Sequence, residues 1–460
     1  MSLALHYLIE NPTKAYGQDF IRRMHARFGA RAVCFYTSDE ALPHSAKLYP
    51  ELFSKDYVAA QYRVTPEALP QFIEYQRSHY SIKAVIPHHE SFVCNAVTVA
   101  ESLGLDWVQP VIMRRFRDKF SLKSHLRATD PSLRINFAQL TSSPSETLEI
   151  VRNNRLNRYV LKPNDGSGNI GIGIFSAQDQ PSLIEEYWKR TQAGTVLLEE
   201  FIEGREYHCN GQVDAEGNIT IIDIGRTHYT ETELGEIVCL RTDQLPSTAP
   251  EFIPIADYTR RVIQASGLRR SPFHAELRVD DSGPSLLECA ARVIGASCAR
   301  FTTEMHSPQF DMIDLAAHYY VSSESYGAIG LDWKNYDASQ QIKIRGVANQ
   351  VGKIWQLEGV RETERLPQFM TWTEKPSIGQ HLTATNSLVS SSYALITRCH
   401  TFAEADEVER KVRELIRWNT RPQSPLERVF YYVGRIPGYI RWKLKQRRQK
   451  QPRIIDRVFK

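Results

Sequence analysis

Hydrophobic positions in the first hundred residues form short runs separated by amphipathic stretches. Residues 3–9, 31–37, 57–64 and 82–87 read as strands. Residues 19–28, 66–80 and 91–103 read as helices, two of them stopped by Gly29 and Gly104. This β-α-β-α rhythm predicts a parallel sheet with helices on both faces. Ligands of such sheets sit at the carboxyl ends of the strands. Pro87-His88-His89-Glu90-Ser91 lies at one such end, where it either touches a substrate or forms a helix-capping turn.

The pattern then changes. A basic helix is expected over 114–128. Strands at 133–140 and 159–161 flank a helix at 145–153, and a glycine-rich turn leads into another strand. A helix at 182–191 and a strand at 195–200 follow. Residues 206–224 read as a hairpin turning at Ala215-Glu216-Gly217-Asn218. A helix at 258–266 precedes a second hairpin, 274–279 with 285–289, around Asp280-Asp281-Ser282-Gly283. A helix at 310–321 and a linker near 322–330 lead to short strands over 341–401 and a helix over 403–418. The fold class is therefore α/β followed by α+β. Five segments are expected: 1–112, 113–203, 204–330, 331–420 and a tail, 421–460.

A chain of 460 residues exceeds one ordinary core, which agrees with this division. No stretch reaches the roughly 20 apolar residues of a spanning helix, and the short apolar start lacks the basic residues of a signal peptide. The seven cysteines are scattered without a C-x-x-C pair, which predicts reduced thiols in a cytoplasmic protein. The net charge of +4 divides unevenly: residues 421–460 hold 12 Lys/Arg against 2 Asp/Glu, and the rest carries −6. In the tail Tyr431, Tyr432, Tyr439 and Trp442 stand among Arg435, Arg441, Lys443, Lys445, Arg447 and Arg448. Such a segment either lies on an anionic membrane surface or a partner, making the protein peripheral to a membrane, or is a solvated helix. Nucleic acid is the less expected partner.

Three segments carry chemistry. In Lys162-Pro163-Asn164-Asp165-Gly166-Ser167-Gly168-Asn169-Ile170-Gly171 the glycines are followed by a strand pattern rather than a helix, so this is not a dinucleotide fingerprint. There is no Gly-Lys-Ser/Thr either. What remains is a lysine at a strand end and a glycine flap that either covers a triphosphate or is a plain hairpin turn. In Glu199-Glu200-Phe201-Ile202-Glu203-Gly204-Arg205-Glu206, backbone groups could read an adenine edge and Glu206 could accept from ribose hydroxyls; the alternative is a solvated acidic loop. In His274-Ala275-Glu276-Leu277-Arg278 and Leu286-Leu287-Glu288-Cys289-Ala290-Ala291-Arg292, leucines flank two carboxylates on neighbouring strands. Buried carboxylates are paired or bind metal. They either hold Mg²⁺ beside phosphate oxygens or form salt bridges to Arg278 or Arg292. Arg226 and His228, after the first hairpin, are candidates to reach an acyl substrate or the phosphates.

Taken in order, these segments resemble the ATP-grasp ligases of the biotin carboxylase-like and L-amino-acid ligase branch, over about residues 1–420. The resemblance implies an N-terminal Rossmann-like domain, a two-lobed ATP-grasp domain (113–203 and 204–330) and a small strand-rich C-terminal domain. Gly352-Lys353-Ile354, Gly359-Val360 and Lys375-Pro376-Ser377-Ile378-Gly379 have the texture of that last domain. It implies ATP and Mg²⁺, or Mn²⁺ in its place, as cofactors. By it Lys119 and Lys162 contact phosphates, and Gly166, Ser167, Gly168, Asn169, Ile170 and Gly171 form the flap. Glu199, Glu200, Phe201 and Ile202 form the adenine hinge, and Glu206 takes the ribose. Glu276 and Glu288 bind metal, and Arg292 faces an acyl phosphate. One departure is Ala290, where the family usually carries Asn. The expected activity is ADP-forming joining of a small carboxylate to an amine, with a homodimer open to it. The alternative is a nucleotide-binding module that docks through the tail.

Overall fold

A computed structural model describes residues 5–12, 17–37, 54–106, 110–166, 171–191, 194–233, 237–295, 306, 310, 312–327, 329–386 and 390–421. Flap residues Ser167, Gly168, Asn169 and Ile170, and the tail beyond Arg421, lie outside them.

The N-terminal strands β1 (His6–Glu10), β2 (Arg31–Tyr36), β3 (Val58–Arg63) and β4 (Ile82–Ile86) form a parallel sheet in the order β3-β2-β1-β4. Leu8, Ile9, Val33, Phe35 and Val85 are buried, as befits strands covered on both faces. The stretch expected as one basic helix is two, Pro110–Arg117 and Lys119–Thr129. Asp118 leaves the helical conformation, and its carboxylate accepts from the Ser121 N–H at 2.7 Å. This N-cap starts a new helix with Lys119 as its first residue.

Strands β5 (Ala138–Thr141), β6 (Arg158–Lys162), β7 (Gly173–Ser176) and β8 (Val196–Glu200) form an antiparallel sheet in the order β5-β8-β6-β7. Here the expected strand at 133–140 is confined to its last few positions. Helices Pro144–Asn153 and Pro181–Thr191 cover one face with Ile150, Ile184, Tyr187 and Trp188. Leu161 pairs with Gly173, so the two strands on either side of the glycine segment are antiparallel neighbours.

The largest sheet is antiparallel. It takes in β9 (Arg205–Val213), β10 (Ile219–Glu231), β11 (Ile237–Gln244), β12 (Ser271–Asp280), β13 (Gly283–Ala290), β14 (Gln340–Arg345), β16 (Phe369–Glu374) and β18 (Ala394–Cys399). The order is β13-β12-β9-β10-β11-β14-β18-β16. Sequence patterning missed β11, because its buried second half is Arg241-Thr242-Asp243-Gln244, polar residues that hydropathy assigns to a surface. This strand joins the two hairpins to the strands that follow residue 340. Tyr207, Cys209, Ile224, Phe273, Ala275 and Leu277 turn one face toward helix Phe252–Ser266, which starts six residues earlier than its pattern suggested. Alternation then turns Glu206, His208, Asn210, His274, Glu276 and Arg278 to the other face.

A small sheet, β17 (His381–Leu382), β15 (Gly352–Glu358) and β19 (Arg417–Arg421), completes the described chain. The last helix is Phe402–Leu415; the Thr401 hydroxyl caps it by accepting from the Glu404 N–H at 3.1 Å, and Glu404 Oε2 accepts from the His400 N–H at 2.7 Å. Trp418, expected in that helix, lies in β19 instead. Between β8 and β9, Gly204 has φ +93°, and a Cβ there would stand 2.0 Å from the Val279 carbonyl oxygen. Gly204→Ala should cost at least about 2 kcal/mol, since the backbone conformation alone carries most of that. Chemical denaturation measures it, and wild-type stability would contradict the close approach.

Candidate active site

The β12–β13 hairpin places Glu276 directly opposite Glu288. Both carboxylates project onto the polar face of the large sheet. Burial, and then the neighbouring Glu288 charge, push Glu276 up to about 7. Its side chain keeps 32% exposure, so solvent tempers that shift. Burial would raise Glu288 as well, but Lys119 and Lys162 outweigh it and hold the group below the usual carboxylate range. The salt bridges to Arg278 or Arg292 that the sequence allowed are not formed. Glu288 faces the Lys119 ammonium at 3.1 Å, and Glu276 faces His274 Nε2 at 3.2 Å. Ala290, two residues beyond Glu288, pairs with His274.

These two carboxylates fit a hard divalent cation, being paired oxygen donors in register on neighbouring strands. Among the described residues no group of three or more metal-type ligands occurs. Two carboxylates alone match a cation whose remaining ligands come from phosphate and water, as Mg²⁺ prefers.

Lys162 ends β6 and reaches Glu199 Oε2 at 2.6 Å. Burial alone would lower this ammonium; Glu199, Glu288 and Glu276 together raise it, so it stays charged. Lys119 Nζ donates to the Gly166 carbonyl at 2.6 Å, and the Phe120 N–H donates to Asn164 Oδ1 at 3.0 Å. The second basic helix therefore grips the start of the glycine flap. At the far end of the flap, Gly171 has φ +77° and its carbonyl accepts from the Tyr187 hydroxyl at 2.8 Å.

The hinge follows β8. The Glu200 carbonyl accepts from Asn136 Nδ2 at 3.0 Å, and the Ile202 carbonyl accepts from Arg278 Nη1 at 3.0 Å. The Phe201 ring lies between the guanidinium groups of Arg158 and Arg278, 3.9 and 4.8 Å from its centre. Glu206 accepts from the Tyr229 hydroxyl at 2.6 Å and faces Arg278 Nε at 3.4 Å. Burial and the Glu276 charge nevertheless push it up to about 7. Glu199 belongs to this stretch in sequence, but its side chain is buried between Lys123 and Lys162.

Glu90 lies in the 87–91 turn, which the sequence left open between a substrate contact and a helix cap. His89 accepts from the Ser91 N–H, so the segment does form a capping turn. The same turn sends Glu90 across to Arg292 Nε and, at 2.6 Å, to Arg117 Nη1. Burial would raise this carboxyl, but Arg292 and Arg117 outweigh it and bring it to about 2. Arg117 also donates to the Asp165 carbonyl at 2.5 Å. One carboxylate thus ties the N-terminal sheet to Arg292 and, through Arg117, to the flap. The sequence placed this turn at the carboxyl end of a parallel strand but could not show its two arginine partners.

Arg226 and His228 lie apart from the two carboxylates. Arg226 pairs with Tyr207 across β9 and β10, which puts both on the face opposite Glu276 and Glu288. There Arg226 Nη2 and His228 Nε2 lie 3.0 and 2.7 Å from Asp243 Oδ2, and Arg226 stacks on Phe402. Arg241 bridges Asp243 to Asp406 and Glu409 of the last helix. Strand alternation turns the pair away from Glu276 and Glu288. A cavity of about 540 Å³ opens at this end of the sheet, with Glu206, Tyr229 and Arg278 on one side and Arg226, His228 and Arg241 on the other.

Two lobes of antiparallel sheet, with lysines on one and in-register carboxylates on the other, define an ATP-grasp fold. Residues 157–300 match the family model of the ATP-grasp domain, and the chain carries that domain. It is 25% identical over 240 residues to dapdiamide A synthase of Enterobacter agglomerans, a match covering 48% of this chain. The matched region spans 53% of that curated relative, about half its length. Among solved structures, the fold matches the L-amino acid ligase of Bacillus licheniformis with a TM-score of 0.72 at 17% identity, over 92% of this chain and 100% of the other. It matches the biotin carboxylase domain of Hydrogenobacter thermophilus 2-oxoglutarate carboxylase, solved with MgADP and bicarbonate, with a TM-score of 0.63 at 13% identity, over 94% of each chain. Among the described residues no helix is long and apolar enough to cross a membrane.

Removing the Glu90 charge leaves Arg117 and Arg292 facing each other in a mostly buried place. Glu90→Ala should destabilise the protein by about 3–5 kcal/mol, measured by equilibrium denaturation. A change near zero would show that the bridge is incidental.

Proposed function

We propose that the protein is an ADP-forming carboxylate–amine ligase, joining amino acids or small acids to an amine through an acyl phosphate. The observation that carries this reading is the convergence of Lys119 and Lys162 on the in-register pair Glu276 and Glu288. Four groups of alternating charge gathered out of bulk water suit a polyphosphate and its cation.

A carboxylate resists attack because oxide is a poor leaving group. Phosphorylation by the γ-phosphoryl group of ATP supplies a better one. Catalysis of that transfer is mainly positioning and charge neutralisation. In this reading Glu276 and Glu288 would hold Mg²⁺, which would supply charge neutralisation to the phosphates. Lys162 and Lys119 face the phosphates, the hinge at Glu200–Ile202 reads adenine, and Glu206 accepts from the ribose. Gly166 and Gly171 are the described ends of the flap, and exclusion of water would protect the acyl phosphate from hydrolysis. Arg292, steadied by Glu90, faces the acyl phosphate and then the oxyanion formed when the amine attacks. A single such donor contributes on the order of 3 kcal/mol elsewhere.

A screen of amino acids and small acids against amines, scored by ADP release and by product mass, tests the reading. At least one acid–amine pair should release ADP in step with an amide product. If MgATP binds and no pair releases ADP, the chain is a nucleotide-binding module and the ligase reading fails.

A further inference from the structure

Lys123 is a buried cation that the chemistry above does not use. It lies one helical turn after Lys119 on the helix Lys119–Thr129 and is 1% exposed. Its ammonium stands 2.6 Å from Glu199 Oε1, while Lys162 stands 2.6 Å from Glu199 Oε2. It also donates to Asn136 Oδ1 at 2.7 Å, and the same amide donates through Nδ2 to the Glu200 carbonyl at 3.0 Å. Arg127, on the same helix, donates to the Asn136 carbonyl from the neighbouring side.

Charge counting shows what this arrangement does. A lysine paired one-to-one with a buried carboxylate is neutral overall, and little of its field reaches a phosphate. If Lys162 turned toward a ligand, Glu199, itself 2% exposed, would be left as an uncompensated buried charge, which is costly. With Lys123 on the second oxygen, the trio carries one net positive charge. Glu199 then keeps a partner when Lys162 moves. The Asn136 bridge holds this arrangement in register with the hinge carbonyl.

We propose that Lys123 is a positioning residue that balances Glu199 so that Lys162 is available to the phosphates of the nucleotide. It touches no reacting atom and acts through Lys162. The inference rests on the nucleotide reading of the site.

Lys123→Met in the full-length protein, studied by calorimetric titration with MgATP and with adenosine, tests it. MgATP affinity should fall by about tenfold or more, the worth of one charge-assisted contact, while adenosine affinity stays within about twofold. Adding Glu199→Gln should restore most of the loss, because Lys162 is then no longer held by a lone carboxylate. Unchanged MgATP affinity in folded Lys123→Met, an equal loss for adenosine, or no recovery in the double variant would each overturn the proposal. If Lys123→Met alone does not fold, the double variant decides. MgATP affinity within about threefold of wild type supports the proposal, and a tenfold loss overturns it. Failure of the wild-type protein to bind MgATP would instead overturn the nucleotide reading, and the proposal with it.

Discussion

Glu276 and Glu288 stand side by side on adjacent strands, and their mutual repulsion is the constraint that the rest of the site answers. Two partly desolvated carboxylates in register are unfavourable unless a cation accompanies them. The fold supplies lysines from two other elements: Lys119 from a helix start and Lys162 from the end of β6. Because those elements belong to different layers, satisfying the pair also fixes how the layers meet. The electrostatics of the site and the packing of the domain are therefore one problem.

Among the described residues, most other cations near the centre have a carboxylate partner. Glu90 binds Arg117 and Arg292. Glu199 binds Lys123 and Lys162. Arg278 serves Glu206 and the hinge carbonyl of Ile202. On the reverse face Asp243 gathers Arg226, His228 and Arg241 against the last helix. Each cluster links elements far apart in sequence, and each is at least partly buried. Such pairs add little stability over an apolar core, but losing one partner is expensive.

Much of this was legible in the chain. Alternating apolar runs gave the parallel N-terminal sheet and both hairpins, and the order from Lys119 through Glu288 to Arg292 pointed to the family. Three things were not legible, each for a physical reason. Strand β11 is buried yet polar, so hydropathy hides it. Glu90, Lys123 and Asn136 are meaningful only through partners some 13 to 202 positions away. The face on which Arg226 and His228 lie depends on strand register, which a loop-like reading of Gly225-Arg226-Thr227-His228 could not show. The break at Asp118, by contrast, was readable: Asp three residues before Ser121, at the start of a helical pattern, is a capping signal.

In the proposed reaction the acid is activated by phosphorylation before the amine attacks. Once an accepted acid is known, its carboxyl oxygens can be labelled with ¹⁸O and the inorganic phosphate of the reaction analysed by mass. Passage through an acyl phosphate predicts one ¹⁸O in each phosphate released. Unlabelled phosphate accompanying labelled amide would contradict it.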